Sequence, residues 1–94
     1  MKLIVGNFKM NLTKKEIDDY IKNIKKKDLK NVIFCPSYIY LDEFIKNGLI
    51  VGSQDISFRE KGAYTGDISA EQLSSIGVKY SIVGHSERRK YYND

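Results

Sequence analysis

The 94-residue chain has little to work with in several categories, beginning with a single cysteine, Cys35, and a single proline, Pro36. One cysteine excludes an internal disulfide framework and suits a reducing compartment, so a cytoplasmic setting is expected. No apolar run approaches the roughly 20 residues of a membrane span, and none reads as a secretory signal. A membrane partner is therefore not expected. Neither glycine-rich phosphate fingerprint, G-x-G-x-x-G or G-x-x-x-x-G-K-S/T, follows any candidate strand, which argues against a nucleotide fold. Linkers, low-complexity segments and close repeats are missing as well. Apolar residues, by contrast, are plentiful. The chain is 41% hydrophobic and includes twelve isoleucines, seven tyrosines and four phenylalanines, enough to bury a core and exclude disorder. At 10.8 kDa it is nonetheless smaller than the commonest domains of roughly 100–150 residues. A chain this short buries only about 60–65% of its unfolded surface, so a core made alone is marginal.

The net charge of +4 and the pI near 9.1 raise the question of an anionic partner. The excess is local. Residues 1–47 hold ten lysines against six acids, whereas residues 48–94 balance six basic against six acidic residues. Most of it lies between Lys14 and Lys30, interrupted by Asp18, Asp19 and Asp28. Only three arginines occur, and no aromatic residues alternate with basic ones as on a base-stacking surface. The stretch reads as a solvated helix face, with no nucleic-acid partner expected.

Along the chain, Lys2–Val5 is a short apolar run expected to form a strand buried on both faces. Thr13 and Glu16 form a T-x-x-E capping box. Ile17, Tyr20, Ile21 and Ile24 follow at helical spacing, one apolar stripe on a charged segment. Asn31–Phe34 predicts a second strand, ended by Pro36. A short helix is expected from about Tyr38 to Asn47, with Leu41, Phe44 and Ile45 inward and Gly48 as its stop. Leu49–Gly52 predicts a third buried strand. Ser69 and Gln72 form another capping box, opening a helix with Leu73 and Ile76 inside and Gly77 as terminator. Val78–Val83 predicts a fourth strand, and Gly84 onward reads as a loop entering a helix.

The order β-α-β-α-β-α-β, with apolar strands and amphipathic helices, implies parallel strands joined by right-handed crossovers. An open doubly wound sheet and part of a (β/α)8 barrel both satisfy it. In either, ligands gather at the carboxyl ends of the strands. After the first strand comes Gly6-Asn7-Phe8-Lys9-Met10-Asn11. On this segment, expected to be extended, Asn7 and Lys9 point the same way and offer an amide and a positive charge to an anionic or carbonyl-bearing ligand. After the fourth comes Gly84-His85-Ser86-Glu87-Arg88-Arg89. His85 is the only histidine, placed where strand gives way to helix. The positive end of that helix would disfavour an imidazolium, leaving a neutral ring able to donate to a carbonyl or enolate oxygen. Arg88 and Arg89 read as first-turn salt-bridge partners.

With both motifs in place, the chain resembles the N-terminal part of the triosephosphate isomerase family. Residues 6–11 match the family's first-strand signature, and residues 84–89 match its fourth-strand signature in full. Gly62-Ala63-Tyr64-Thr65-Gly66-Asp67, preceded by Gln54-Asp55-Ile56-Ser57, matches the long third connection. Phe8 replaces a common Trp and keeps a large aromatic ring. Asp94 stands where Glu is usual, a shorter acid that weakens a packing or interface contact. The resemblance implies a single (β/α)8 barrel domain, of which residues 1–94 supply about the first four βα units before truncation after strand four. It also implies interconversion of dihydroxyacetone phosphate and D-glyceraldehyde 3-phosphate by enediolate proton transfer, without metal or organic cofactor.

The roles it implies are specific. His85 is the electrophile that polarises the carbonyl; this family is itself the standard illustration of a neutral histidine working with a glutamate base. Lys9 supplies positive charge for the phosphate and the developing oxyanion, and Asn7 orients substrate oxygens. Glu87 positions Lys9, and Ser86 holds the general base before closure. Tyr64, Thr65 and Gly66 belong to the loop that braces the partner subunit of a homodimer. The general-base glutamate falls beyond Asp94, so the fragment is expected to be inactive alone. A non-catalytic half-barrel interaction module, or a phosphosugar-binding module, is the alternative.

Overall fold

The computed structural model describes residues 3–25, 27–59 and 61–83. Its elements are β1 (Ile4–Asn7), α1 (Lys14–Ile24), β2 (Val32–Cys35), a 3₁₀ turn (Tyr38–Tyr40) continuing into α2 (Leu41–Lys46), β3 (Ile50–Ser53), α3 (Ala70–Ser75) and β4 (Tyr80–Ser81). All four strands are parallel and adjacent in chain order, β1-β2-β3-β4. A doubly wound sheet reverses direction at a switch point and so breaks that order. Four sequential strands moving one way are the first part of a (β/α)8 barrel.

The helices begin where their caps dictate. The Glu16 carboxylate accepts from the Thr13 N–H and hydroxyl, both at 3.0 Å. Gln72 Oε1 accepts from the Ser69 N–H at 2.9 Å while Ser69 Oγ accepts from the Gln72 N–H at 3.1 Å. Gly48 (φ +75°) and Gly77 (φ +98°) close α2 and α3 in the left-handed conformation. Ile17 and Ile21 of α1, Leu41 and Phe44 of α2, and Leu73 of α3 meet Phe34, Val51 and Val78 in one buried cluster. Phe8, Tyr20, Phe34 and Phe44 interlock within it, mostly edge to face, at centroid separations of 5.1–6.3 Å. Tyr20, Ile24 and Ile45 pack on its margin. On the opposite face of the sheet, a Cβ added at Gly52 would lie 3.0 Å from Cys35 Sγ, 3.2 Å from Tyr80 Cβ and 3.3 Å from Ile33 Cγ2. These residues form the tightly packed inner layer of the barrel wall.

Several boundaries differ from expectation. The first strand covers Ile4–Asn7 rather than Lys2–Val5, because its register pairs Ile4 with Val32 and Asn7 with Cys35. The polar end is paired although it is not apolar. Nor is β1 buried: Leu3, Ile4 and Val5 are each more than half exposed. This strand pairs on one side only and stands at the edge of the sheet, with no strand beyond it among the described residues. The same holds at the other edge, where β4 is two residues long and Val83 is 70% exposed. Ile76, expected inside, is 45% exposed. α3 ends at Ser75, so helical spacing no longer carries Ile76 back to the Leu73 face, and Val78 fills the core instead. The described lysines between Lys14 and Lys30 are all exposed, with Lys14 in an i,i+4 pair to Asp18 at 2.7 Å. No described helix is long and apolar enough to cross a membrane.

Candidate active site at the carboxyl ends of the strands

The register brings the ends of β1, β2 and β3 to one level, and the residues immediately beyond them meet. Asn7 is the last residue of β1 and sits beside Cys35. Phe8 extends the ladder by one bond, its N–H donating to the Cys35 carbonyl at 3.1 Å. Its ring then turns to the helix side, packing on Tyr20 and Phe44. At Lys9 the backbone leaves the extended region altogether, with φ at +55°. The strand alternation expected to align Asn7 with Lys9 therefore does not reach Lys9. A left-handed turn sets its direction instead.

That conformation is costly for a residue with a Cβ, by roughly 1–2 kcal/mol, and it persists only where neighbours over-determine it. Here they do. The Lys9 N–H donates to Asn7 Oδ1 at 2.9 Å, which commits the oxygen end of the Asn7 amide to the loop. The Lys9 carbonyl accepts from Gln54 Nε2 at 2.7 Å and from Ser37 Oγ at 3.3 Å. Gln54 Nε2 also donates to the Cys35 carbonyl at 3.0 Å. Asn11 closes the turn by donating to the Phe8 carbonyl at 3.0 Å. Three successive βα connections thus converge on one peptide unit. Nearby, the Tyr38 hydroxyl donates to the Asp55 carbonyl, and Ser53 Oγ, fully buried, donates to Ser81 Oγ at 2.8 Å across β3 and β4.

Chemically, this rim presents a lysine on a fixed backbone next to an asparagine whose amide nitrogen is the remaining donor. Such an arrangement suits an anionic or oxyanionic ligand. Cys35, just below it, is 1% exposed, and burial pushes its thiol pKa up against the opposing effect of the Gly52 backbone. It is a packing residue rather than a thiolate nucleophile.

Of the candidate residues, Asn7 and Lys9 come together here. His85, Ser86 and Glu87 lie outside the described residues. Tyr64, Thr65 and Gly66 lie elsewhere, on the long β3–α3 loop. That loop is internally organised: the Arg59 guanidinium lies 4.2 Å from both the Phe58 and Tyr64 ring centroids. Asp67 receives Ser57 Oγ at 3.3 Å and faces Arg59 at 3.9 Å. An open cleft of about 530 Å³ between this loop and α3 is lined by Ser57, Arg59, Tyr64 and Gln72 among others, and by neither Asn7 nor Lys9. The chemistry of the strand ends is not in that cleft. Gln54 and Ser37 carried no role in the sequence reading. Both stand just beyond a strand's carboxyl end, a signal that points to them, and Gln54 also falls within the third-connection match.

Comparison with known proteins gives the family. The family model described as triosephosphate isomerase matches residues 2–94. A triosephosphate isomerase of Clostridium botulinum (strain Loch Maree / Type A3) is 46% identical over an alignment covering 98% of this chain and 40% of that protein. Those of Alkaliphilus oremlandii and Cytophaga hutchinsonii are 41% and 40% identical, covering 98% and 99% of this chain and 40% and 41% of their own lengths. The chain thus spans about two fifths of the relatives it matches. With four sequential parallel strands and the family match over residues 2–94, it belongs to the triosephosphate isomerase family.

Proposed function

We propose that this chain is the amino-terminal part of a single (β/α)8 barrel whose assembled form interconverts dihydroxyacetone phosphate and D-glyceraldehyde 3-phosphate. The observation that carries the reading is the Asn7–Lys9 turn, a lysine in the left-handed region held by side chains from three strand ends. Backbone strain retained at a strand terminus places a charge where binding, not packing, needs it. In the proposed mechanism the Lys9 ammonium neutralises the substrate phosphate and the oxyanion that develops on the carbonyl oxygen. Asn7 Nδ2 donates to a substrate oxygen, since its Oδ1 is engaged by the loop. His85, as a neutral imidazole, donates to the carbonyl oxygen and relays a proton between the two oxygens of the enediolate. Ser86 and Glu87 act behind these groups, Glu87 by positioning Lys9. A carboxylate base from the remainder of the barrel removes the proton from one carbon and, as the carboxylic acid so formed, returns a proton to the adjacent carbon of the enediolate. General-base catalysis is worth about 10²–10⁴ in rate, so residues 1–94 alone are proposed to turn over no substrate. Tyr64, Thr65 and Gly66 are proposed to brace a partner subunit in a cytoplasmic homodimer.

The test is a chimera joining residues 1–94 to the complementary three fifths of the Clostridium botulinum relative. It is expected to isomerise dihydroxyacetone phosphate. Lys9→Ala and His85→Gln should each cut kcat/KM by about 10²–10³, the loss seen when one oxyanion-stabilising donor is removed. Circular dichroism should show both variants folded. Turnover indifferent to Lys9, or phosphosugar binding without turnover in the folded chimera, would overturn the reading.

A further inference from the structure

We infer that Ser53 and Ser81 lock the register of β4 and are thereby positioning residues for His85, which follows that strand. The backbone ladder alone holds β4 weakly. The strand is two residues long, pairing Gly52 with Tyr80 and Ser53 with Ser81, and one further bond runs from the Ile82 N–H to the Ser53 carbonyl at 2.9 Å. Apolar patterning does not choose its register either, because two apolar residues, Ile82 and Val83, follow in succession and take opposite faces. The choice falls to the paired side chains. On the inner face, Gly52 is the one residue of β3 without a side chain, and a Cβ there would lie 3.2 Å from Tyr80 Cβ. On the outer face, Ser53 is wholly buried and its hydroxyl donates to Ser81 Oγ at 2.8 Å.

Either one-residue slip breaks both pairings. One direction sets Tyr80 against Val51, which is buried in the core cluster, and leaves Ile82 opposite the Ser53 hydroxyl. The other sets Tyr80 against Ser53 and brings Lys79 opposite Gly52, into the inner layer beside Cys35 and Ile33. In both, a buried hydroxyl loses its partner, which costs more than the bond itself gains. A slip of one residue moves a strand by about 3.3 Å and turns each side chain to the other face. His85 stands four residues after Ser81, so the register of β4 sets where the chain enters that position. A displacement of about 1 Å at a catalytic group can cost 10²-fold in rate. The lock stands on geometry alone; its consequence for catalysis rests on the functional reading above.

The test, made in the chimera, separates register from stability. Ser81→Ala orphans the Ser53 hydroxyl and should lower the thermal midpoint by about 3–6 °C. Adding Ser53→Ala removes the orphan and should restore most of that loss, yet it cannot restore the lock. The Ile82 N–H should therefore exchange with solvent roughly tenfold faster in the single and the double variant alike. In both, kcat should fall about 5- to 20-fold while KM stays within about twofold, since Lys9 and Asn7 stand on another strand. Ser81→Thr keeps the hydroxyl and should retain the exchange rate and kcat of the unaltered chimera. Ile82 exchange unchanged in both alanine variants would overturn the lock. A kcat that recovers with the thermal midpoint in the double variant would overturn the positioning role. If turnover of the unaltered chimera proves indifferent to His85, the functional reading fails, and Ile82 exchange still decides whether the hydroxyl pair sets the register of β4.

Discussion

Two loops of this molecule carry a phenylalanine, Phe8 immediately after β1 and Phe58 well out along the connection after β3, and the two are held on different plans. In the β1–α1 loop, Phe8 turns into the core, edge to face with Tyr20 and Phe44, while the backbone around Lys9 is tied to the connections after β2 and β3. In the outer part of the β3–α3 loop, Phe58 is 85% exposed beside the Arg59 guanidinium, and Ser57, Arg59 and Asp67 hold one another. The first loop has borrowed its rigidity from the barrel wall. The second carries its order with it. A loop that must hold one charge to a fraction of an ångström needs the first plan. A loop that projects exposed aromatics suits the second, since self-contained order lets it be presented to another surface with little left to lose on binding.

The sharpest way to break the comparison is to truncate both rings. In the chimeric barrel, Phe8→Ala should destabilise by about 2–3 kcal/mol, because it opens a void beside the fully buried Phe44. It should also depress activity, since the Lys9 turn begins at the next residue. Phe58→Ala should change folding stability by no more than about 0.5 kcal/mol. Urea unfolding monitored by circular dichroism measures both. Similar losses for the two variants would mean that the loops do not differ as described.

A smaller effect is expected from the element that orders the second loop. Arg59→Lys keeps the charge but loses the planar stack between Phe58 and Tyr64, costing about 1 kcal/mol of local order. Limited proteolysis should then cut within the loop several-fold faster, while the global urea midpoint stays where it was. Unchanged cleavage would show that the stack does not organise the loop.

Much of this plan was legible in the sequence, and the part that was not has a common cause. The stripe from Ile17 to Ile21, both capping boxes and the stops at Gly48 and Gly77 are local patterns, and each appears where it was read. The order of elements also led to parallel strands, though only the observed sheet order separated barrel from doubly wound sheet. Strand limits were read from apolar runs, but pairing fixes them, which is why β1 runs on through Gly6 and Asn7. Ile76 was misplaced because periodicity says nothing about where a six-residue helix stops. For the site, Asn7 and Lys9 were found by type and position. The left-handed turn that orients Lys9 was not, since it depends on Gln54, 45 residues away, and no local pattern encodes that contact.

Both loops end in a capping box, and here the comparison extends to pH. The box that follows the β1–α1 loop uses a carboxylate, Glu16; the one that follows the β3–α3 loop uses an amide, Gln72. Hydrogen bonds from the Thr13 backbone and then its side chain lower the Glu16 pKa below its ordinary 4.5. A group whose pKa is lowered by folding contributes its full stabilisation above the ordinary value and loses it as pH falls through the lowered one. The first turn of α1 should therefore keep its hydrogen-exchange protection from pH 7 down to about 4.5 and lose it progressively below. The first turn of α3 should show no such step, because Gln72 does not titrate. Glu16→Gln should abolish the step in α1 and leave α3 unaltered. Protection factors measured between pH 6 and pH 3 decide the matter: parallel behaviour of the two helix starts would mean that Glu16 does not cap α1 in solution. If the step is present, acid loosens the exit of the loop that carries Lys9 before it touches the exit of the loop that carries Tyr64.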